Sequence, residues 1–214
     1  GNTGTQTGGW FRDELKSLDD VKGVRFRTPG LGGRVWEKLG ATVTNMAAGE
    51  IFQALQSGTL DAAEFVGPYN DLALGFHQVA KNYYMPSFVE SGLATELVVD
   101  KKKYQELPED LQAIIRDVSQ AEYDQVAADF YANDPRALKT LVEEHGVTVR
   151  NFPDDIMEAG AKASVEVLEE LRSSDDPLVK KTAESFVEAL NLVRTRTEKI
   201  DSPYVQARQS FLKY

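Results

Sequence analysis

The sequence contains no cysteine, only two histidines and fewer basic than acidic residues. Without cysteine the chain can form no disulfide, no cysteine-ligated zinc site and no thiol nucleophile, although this leaves the cellular compartment open. The net charge of -10, from 24 basic and 34 acidic residues, argues against nucleic acid or an anionic membrane surface as a partner. No apolar run reaches the roughly 18 residues of a membrane-spanning helix.

The start of the chain also lacks familiar features, because it begins at Gly1 rather than at methionine and shows no signal peptide. We therefore expect a fragment or a processed chain. The 214 residues, 42% hydrophobic and 27% charged, are typical of one globular domain or two small ones.

Motifs for phosphate, dinucleotide and serine-hydrolase chemistry are missing as well. The sequence has no GxxxxGK[ST], no GxGxxG after a predicted strand and no GxSxG. His77 and His145 lie on separate predicted helices outside any HExxH spacing, and we interpret each as a surface or capping residue. These absences argue against several classes of enzyme.

The first third of the chain alternates between strand and helix patterns. Residues 24–28 alternate with a period of two, and further strands are predicted at 41–46 and 60–65. Helices are predicted between them at 31–39 and 50–56. This alternation predicts right-handed crossovers and a mainly parallel sheet.

The remainder of the chain has mostly helical apolar spacing, with short strands predicted at 97–99 and 147–149. Trp10 and Phe11, near the start, are expected to pack as a loop or a helix start. The predicted helices cover 69–79, 108–132, 135–145, 156–172, 177–199 and 203–212. Their apolar stripes are not sustained as heptads, so we expect packing onto a core rather than a coiled coil.

Three charged residues beside strand ends or turns are candidates for chemistry: Arg27, Glu64 and Glu90. Arg27 could bind a carboxylate through two parallel hydrogen bonds, or it could be an ordinary surface arginine. Glu64 would be costly if buried at a strand end, unless it were paired or metal-bound. Two glutamates at one point would need a cation to offset their repulsion. Composition and spacing are consistent with a metal-assisted carboxylate site but do not establish one.

Several stretches taken together resemble the solute-binding proteins of TRAP (tripartite ATP-independent periplasmic) transporters. They are GNTGTQ at 1–6, GGWF at 8–11, FRTPG at 26–30, GEIFQALQ at 49–56 and DAAEFVGPYND at 61–71. The resemblance covers essentially the whole chain and is greatest to the branch that binds 2-oxo acids and related monocarboxylates. Each motif is weak alone, whereas the set is specific.

The resemblance implies an α/β, type II periplasmic-binding-protein-like fold, in which two lobes close on a ligand. Family members are longer, so this chain would be the C-terminal two-thirds, with most of the first lobe missing and the long C-terminal helices retained. It further implies an α/β second lobe at 1–63, a hinge with a remnant of the first lobe at 64–100, and a helical segment at 101–214 that packs across the lobes.

The same resemblance implies a set of site residues. Arg27 would pair with the ligand carboxylate, and a sodium or calcium ion would bridge ligand and protein through Gln6, Glu64, Glu90 and the backbone carbonyl of Phe65. Family members often have tryptophan where this chain has Phe65, so the aromatic wall is kept but an indole N–H donor is lost. Tyr69 and Asn70 are further candidates for the pocket lining.

The implied function is a periplasmic, non-enzymatic binding protein that delivers a 2-oxo acid such as pyruvate, or lactate, to TRAP membrane permease subunits. The resemblance also implies a homodimer, in which the helix at 203–212 crosses to the partner rather than folding back. Two alternatives stay open. One is a metal-dependent enzyme acting on a 2-oxo acid, with Glu64 or Glu90 as base. The other is a helical interaction module formed by residues 101–214.

Overall fold

The computed structural model describes residues 1–212, and a six-stranded mixed sheet organises the first part of the chain. In chain order the strands are β1 (Gly9–Phe11), β2 (Arg25–Arg27), β3 (Thr42–Thr44), β4 (Ala62–Ala63), β5 (Asn82–Tyr84) and β6 (Thr148–Arg150). Their spatial order is β3-β2-β4-β1-β5-β6. Strand β2 pairs in parallel with β3 and β4, and β5 pairs in parallel with β6, whereas β1 runs antiparallel to both β4 and β5. The α/β class is therefore confirmed.

Eight α-helices are described, and the first two are the predicted crossovers between parallel strands. The helices are α1 (Gly30–Lys38), α2 (Ala48–Ser57), α3 (Pro68–Leu74), α4 (Lys101–Gln105), α5 (Glu109–Glu143), α6 (Asp154–Arg172), α7 (Pro177–Arg196) and α8 (Ser202–Phe211). Helix α2 ends at Gly58, which adopts the left-handed conformation (φ 75°) that a glycine tolerates without a Cβ clash. Over residues 1–212, no helix combines the length and the apolar character needed to cross a membrane.

The two aromatic residues of β1 pack on opposite faces of the sheet, because successive side chains of a strand alternate. Trp10 stacks on Tyr83 with ring centroids 3.9 Å apart, and both belong to the core cluster that includes Ile51 and Leu55. Phe11 instead joins an aromatic cluster made of Phe11, Phe26, Trp36, Tyr84, Phe88 and Phe152. The sheet is thus covered on both faces, as expected for a sheet with parallel crossovers.

Two local predictions for strands were wrong. Trp10 and Phe11 form a central strand rather than a loop or helix start, because the antiparallel partners that pair with them come from far along the chain. Residues 97–99 form no strand, and Leu97 and Val98 are 64% and 81% exposed. Their β propensity has no effect here because no neighbouring strand pairs with this segment.

The helix boundaries around Pro135 were also predicted wrongly. Instead of starting a new helix, Pro135 lies inside α5. Proline removes one helical hydrogen bond and usually ends a helix. Here contacts with α3 hold the chain on the N-terminal side of Pro135: the ring of Phe130 packs edge-on against Tyr69 at 6.0 Å, and Asp134 accepts the backbone N–H of Tyr69 at 3.0 Å.

The chain forms two compact units, one at Gly1–Ser164 and a second that begins at Val165. In the second unit, α7 continues through a π-helical turn at Thr197–Asp201 into α8, which matches the helix predicted at 203–212. The expected division into 1–63, 64–100 and 101–214 stays a prediction.

The histidines differ from the expectation of two separate surface or capping residues. His77 is buried, and its ring stacks on His145 with centroids 4.1 Å apart. The Nζ of Lys81 donates to the carbonyl oxygen of His145 at 2.9 Å, so a third basic group lies beside the pair.

This pair predicts an effect of pH on stability. Burial, followed by the charges of His145 and Lys81, lowers the pKa of His77 from its ordinary value of 6.5. The unfolded chain takes up a proton below that pH while the folded chain resists it, so His77 makes the free energy of unfolding decrease as the pH falls. Urea unfolding measures the free energy of unfolding at about pH 7.5 and about pH 5.5, and acidification should change it less favourably in the wild type than in His77→Phe. Equal changes in the two proteins would contradict this prediction.

Candidate functional site

Arg27 is the last residue of β2 and is buried, with 8% of its surface exposed. Its Nε and Nη2 atoms both donate to the carbonyl oxygen of Met46 at 3.2 Å, and Nη1 donates to that of Glu64 at 2.9 Å. A guanidinium has five N–H groups, so three bonds leave two N–H groups on the terminal nitrogens. Two backbone carbonyls thus orient a cation that still has donors for a carboxylate.

The ring of Phe65 forms a wall beside this guanidinium. The Cζ atom of Arg27 lies 5.9 Å from the centroid of the Phe65 ring, and that ring packs edge-to-face on Phe76 at 6.1 Å. Burial lowers the pKa of Arg27, while the charges of Glu64 and Glu90 oppose this effect. Arginine remains protonated at neutral pH, so the guanidinium stays charged although it is largely shielded from water.

Glu64 follows β4 and is buried, with 2% of its surface exposed. The hydroxyl of Thr28 donates to its Oε2 at 3.4 Å, whereas its Oε1 is buried without a hydrogen-bond partner. Burial and then the charge of Glu90 raise the pKa of Glu64 to about 8, and Arg27 offsets this only in part. A buried carboxyl with a free oxygen needs either a proton or a cation.

Glu90 and Gln6 lie in two further segments. Glu90 is half-buried, its backbone N–H donates to the hydroxyl of Ser87 at 3.0 Å, and burial raises its pKa while Arg27 lowers it. Gln6 is 3% exposed; its Nε2 donates to the hydroxyl of Thr3 at 3.2 Å, and its Oε1 is buried without a partner.

Backbone hydrogen bonds hold these segments side by side. The N–H of Thr7 donates to the carbonyl of Val66 at 3.1 Å, which brings the segment of Gln6 next to that of Glu64. The N–H of Ser87 donates to the carbonyl of Gln6 at 3.2 Å, which brings in the segment of Glu90. Residues far apart in sequence are therefore gathered at one edge of the sheet.

Two buried side-chain oxygens without hydrogen-bond partners show whether these residues suit a cation. Gln6 Oε1 and Glu64 Oε1 both have unused lone pairs, and sodium and calcium are hard cations that prefer oxygen ligands. Within residues 1–212, no group of three or more histidine, cysteine, aspartate or glutamate side chains is arranged to hold a metal. A cation here would accordingly need a mixed set of carboxylate, amide and carbonyl oxygens, which these residues fit.

Comparison with known proteins identifies the family to which this arrangement belongs. Residues 1–175 match the model of the bacterial extracellular solute-binding proteins, family 7, also called DctP. The chain belongs to this family. It is 38% identical over 175 residues to the monocarboxylate 2-oxoacid-binding periplasmic protein of a Nostoc species, and the match covers 82% of this chain and 48% of that protein.

Two solved DctP-type structures match most of this chain. One is a TRAP periplasmic solute-binding protein from Colwellia psychrerythraea with bound calcium and pyruvate (TM-score 0.90, 37% identity, 96% of this chain and 62% of that one). The other, from Pseudoalteromonas atlantica with bound sodium and pyruvate, has a TM-score of 0.89 and 37% identity over 97% of this chain and 63% of that one. The chain thus spans about half to two-thirds of the length of these relatives.

Tyr69 and Asn70, the remaining predicted pocket residues of this DctP-family chain, lie in α3. Tyr69 is 41% exposed and its ring packs on Phe130, while Oδ1 of Asn70 is buried without a partner. Their role in lining the pocket stays a prediction.

Sequence reasoning did not single out two buried residues near these side chains. Thr28 lies in the recognised FRTPG motif and bonds Glu64, and Asp71 ends the DAAEFVGPYND motif as a fully buried acceptor. A hydroxyl directly after Arg27 and an aspartate at the end of a recognised motif were the available signals.

A separate cleft of about 400 Å³ lies beside the start of β2 and contains none of the predicted site residues. Its acidic lining is largely engaged: Glu14 pairs with Arg150 at 2.7 Å, and Asp61 pairs with Arg25. This cleft is therefore distinct from the segments that carry Arg27, Glu64 and Glu90.

Proposed function

We propose that this chain is the ligand-binding part of a TRAP-transporter solute-binding protein that captures a 2-oxo acid such as pyruvate, or lactate, together with a sodium or calcium ion. One observation carries the proposal: the buried guanidinium of Arg27 is oriented by two backbone carbonyls and retains two N–H donors beside two glutamates. A bidentate, charge-assisted pair is the contact that selects a carboxylate.

Each predicted residue has a role in this proposal. Arg27 binds the ligand carboxylate, and Gln6, Glu64, Glu90 and the carbonyl of Phe65 hold the ion. When bound, such an ion would supply positive charge that offsets the two glutamates and attracts an anionic ligand. Gln6 also contacts the ligand, and a wall is formed by Phe65, Tyr69 and Asn70. Residues elsewhere in the whole protein would complete the pocket.

The proposed partners and location follow the family. The protein would act in the periplasm and deliver its ligand to TRAP permease subunits, with no reaction of its own. Against the enzyme alternative, His77 and His145 stack on each other, and no hydrogen bond described within residues 1–212 joins either to Arg27, Glu64 or Glu90.

We also propose a homodimer through α8, in which the side chains of Tyr204 and Phe211 are 65% and 82% exposed.

A thermal-shift titration tests the proposed function. The chain is titrated with pyruvate, lactate and 2-oxobutyrate, with and without calcium, because a ligand that binds only the native state must raise the melting temperature. We expect calcium to raise it and at least one acid to raise it further only when calcium is present. If neither calcium nor sodium raises the melting temperature at millimolar concentration, that result contradicts the proposed metal site.

Arg27→Lys is expected to remove most of the acid-dependent shift while keeping the calcium shift. Lysine keeps the charge but loses the planar fork, and two charge-assisted bonds of about 1.5 kcal/mol each correspond to roughly 100-fold in affinity. Arg25→Lys is the matched control, because Arg25 lies on the same strand but is exposed and pairs with Asp61. Equal pyruvate affinity in the two variants, measured by calorimetry, would refute the role of Arg27.

A further inference from the structure

Four buried side chains that the proposed site does not use form one hydrogen-bonded network, which we call the Thr7–Trp10–Asp71–Tyr83 network. The hydroxyl of Thr7 donates to the hydroxyl oxygen of Tyr83 at 2.9 Å, and the Tyr83 hydroxyl donates to Oδ2 of Asp71 at 2.8 Å. The indole Nε1 of Trp10 donates to the same Oδ2 at 2.8 Å. At most 7% of any of these residues is exposed, so none offers a surface for ligand.

The network connects two of the three segments that carry candidate metal ligands. Thr7 directly follows Gln6, and its backbone N–H donates to the carbonyl of Val66 at 3.1 Å. The backbone N–H of Val66 in turn donates to the second carboxylate oxygen of Asp71 at 3.4 Å. Thr7, Tyr83, Asp71 and Val66 therefore form a closed ring of hydrogen bonds between the Gln6 segment and the segment that carries Phe65.

The buried carboxylate in this ring of hydrogen bonds is costly, which suggests a role besides stability. Asp71 is fully buried, and burial raises its pKa to about 6, although hydrogen bonds from Trp10, Tyr83 and the backbone amides of residues 66 and 67 oppose this. An apolar residue would avoid that desolvation, whereas a carboxylate can fix the Val66 amide and the Tyr83 hydroxyl together. The segment fixed in this way includes the carbonyl oxygen of Phe65.

We propose that the Thr7–Trp10–Asp71–Tyr83 network is the positioning device of the cation site. It sets the separation between the side chain of Gln6 and the carbonyl of Phe65 without touching the ion. This inference rests on the proposed function, and it assigns to Asp71 and Tyr83 a role beyond packing. Groups that orient metal ligands typically change metal affinity by about 10- to 100-fold when they are removed.

Tyr83→Phe tests the inference, because it removes one hydroxyl and keeps the ring that stacks on Trp10. Tyr84→Phe is the matched control: the adjacent residue of β5 is also buried, and its hydroxyl bonds the N–H and carbonyl of Leu15 instead of the network. Calorimetry with calcium alone should show affinity reduced about 10-fold in Tyr83→Phe and changed by less than about twofold in Tyr84→Phe. A purely structural role would lower the melting temperature of both variants and leave both affinities unchanged.

A second pair of variants keeps the test decisive if Tyr83→Phe does not fold. Thr7→Val removes the donor to Tyr83 with little change of shape, whereas Thr7→Ser retains it. Calcium affinity should fall in Thr7→Val and be restored in Thr7→Ser. Unchanged affinity in folded Thr7→Val and Tyr83→Phe would overturn the inference while leaving the proposed function intact. A wild-type chain that binds neither calcium nor sodium would overturn the proposed function itself.

Discussion

Glu64→Gln is expected to shift metal affinity and metal-free stability in opposite directions. Calcium affinity should fall by at least about 100-fold, because a neutral amide replaces one of two carboxylates in the proposed oxygen set. In the presence of a chelator, the same variant should be more stable than the wild type at neutral and higher pH. The reason is that the wild-type carboxyl is buried with an unpartnered oxygen.

The pH dependence of this effect follows from the pKa of Glu64, which burial raises from 4.5 to about 8. Between these values the folded chain retains a proton that the unfolded chain loses, so Glu64 makes the metal-free free energy of unfolding decrease as the pH rises, and this contribution levels off above about pH 8. The accumulated loss from this carboxyl is about 5 kcal/mol. Glu64→Gln should lack this decrease.

Urea unfolding with a chelator at about pH 5, 7 and 9 measures the stability difference, and calcium calorimetry measures the affinity. Glu50→Gln is the control, because it removes an exposed carboxylate from α2 and should change neither quantity much. A variant that lost calcium binding and was also less stable than the wild type at pH 9 would contradict the buried, unpaired state of Glu64.

Trp36→Ala is expected to reduce the free energy of unfolding by about 3 to 5 kcal/mol. Trp36 is only 2% exposed, and its ring lies 4.8 Å from that of Phe26 and 5.7 Å from that of Phe152. The truncation would leave a large cavity in the aromatic cluster. Because whole domains are stable by only about 5 to 15 kcal/mol, this one change approaches complete unfolding.

The Trp36 ring also supports the candidate site, because it packs against the ring of Phe88 with centroids 5.1 Å apart. Phe88 lies two residues before Glu90. Trp36→Phe should therefore cost much less than Trp36→Ala and preserve the packing of Phe88. Leu31→Ala on the same helix is the control, because Leu31 is 50% exposed and should change stability by less than about 0.5 kcal/mol. Equal denaturation midpoints for Trp36→Ala and Leu31→Ala would show that the cluster does not bear on stability.

The α/β alternation in the first third of the chain was predictable because it depends on local patterns. A period of two in residues 24–28 and helical spacing in 31–39 and 50–56 predict strands and crossovers that the structure confirms. The strand ends then bring Arg27 and Glu64 to one edge of the sheet, because parallel strands end together. The family resemblance, confirmed by the comparisons, was carried by motifs at these same turns.

The sequence did not predict features that depend on contacts between distant segments. Trp10 and Phe11 become a strand only because β4 and β5 pair on either side of them. Residues 97–99 stay outside the sheet although their propensity favours a strand, and α5 continues through Pro135 because α3 packs against it. Secondary structure of this kind is decided by partners that local spacing does not contain.

By itself, then, the sequence determined the absence of cysteine chemistry, the fold class, and the strand ends that carry Arg27 and Glu64. Only the tertiary structure decided that Arg27 is held by two carbonyls and that Gln6 Oε1 and Glu64 Oε1 lack partners. Burial and hydrogen bonding depend on which segments meet, and these segments are separated by tens of residues. The same reason hid the buried carboxylate of Asp71, which accepts hydrogen bonds from the side chains of Trp10 and Tyr83.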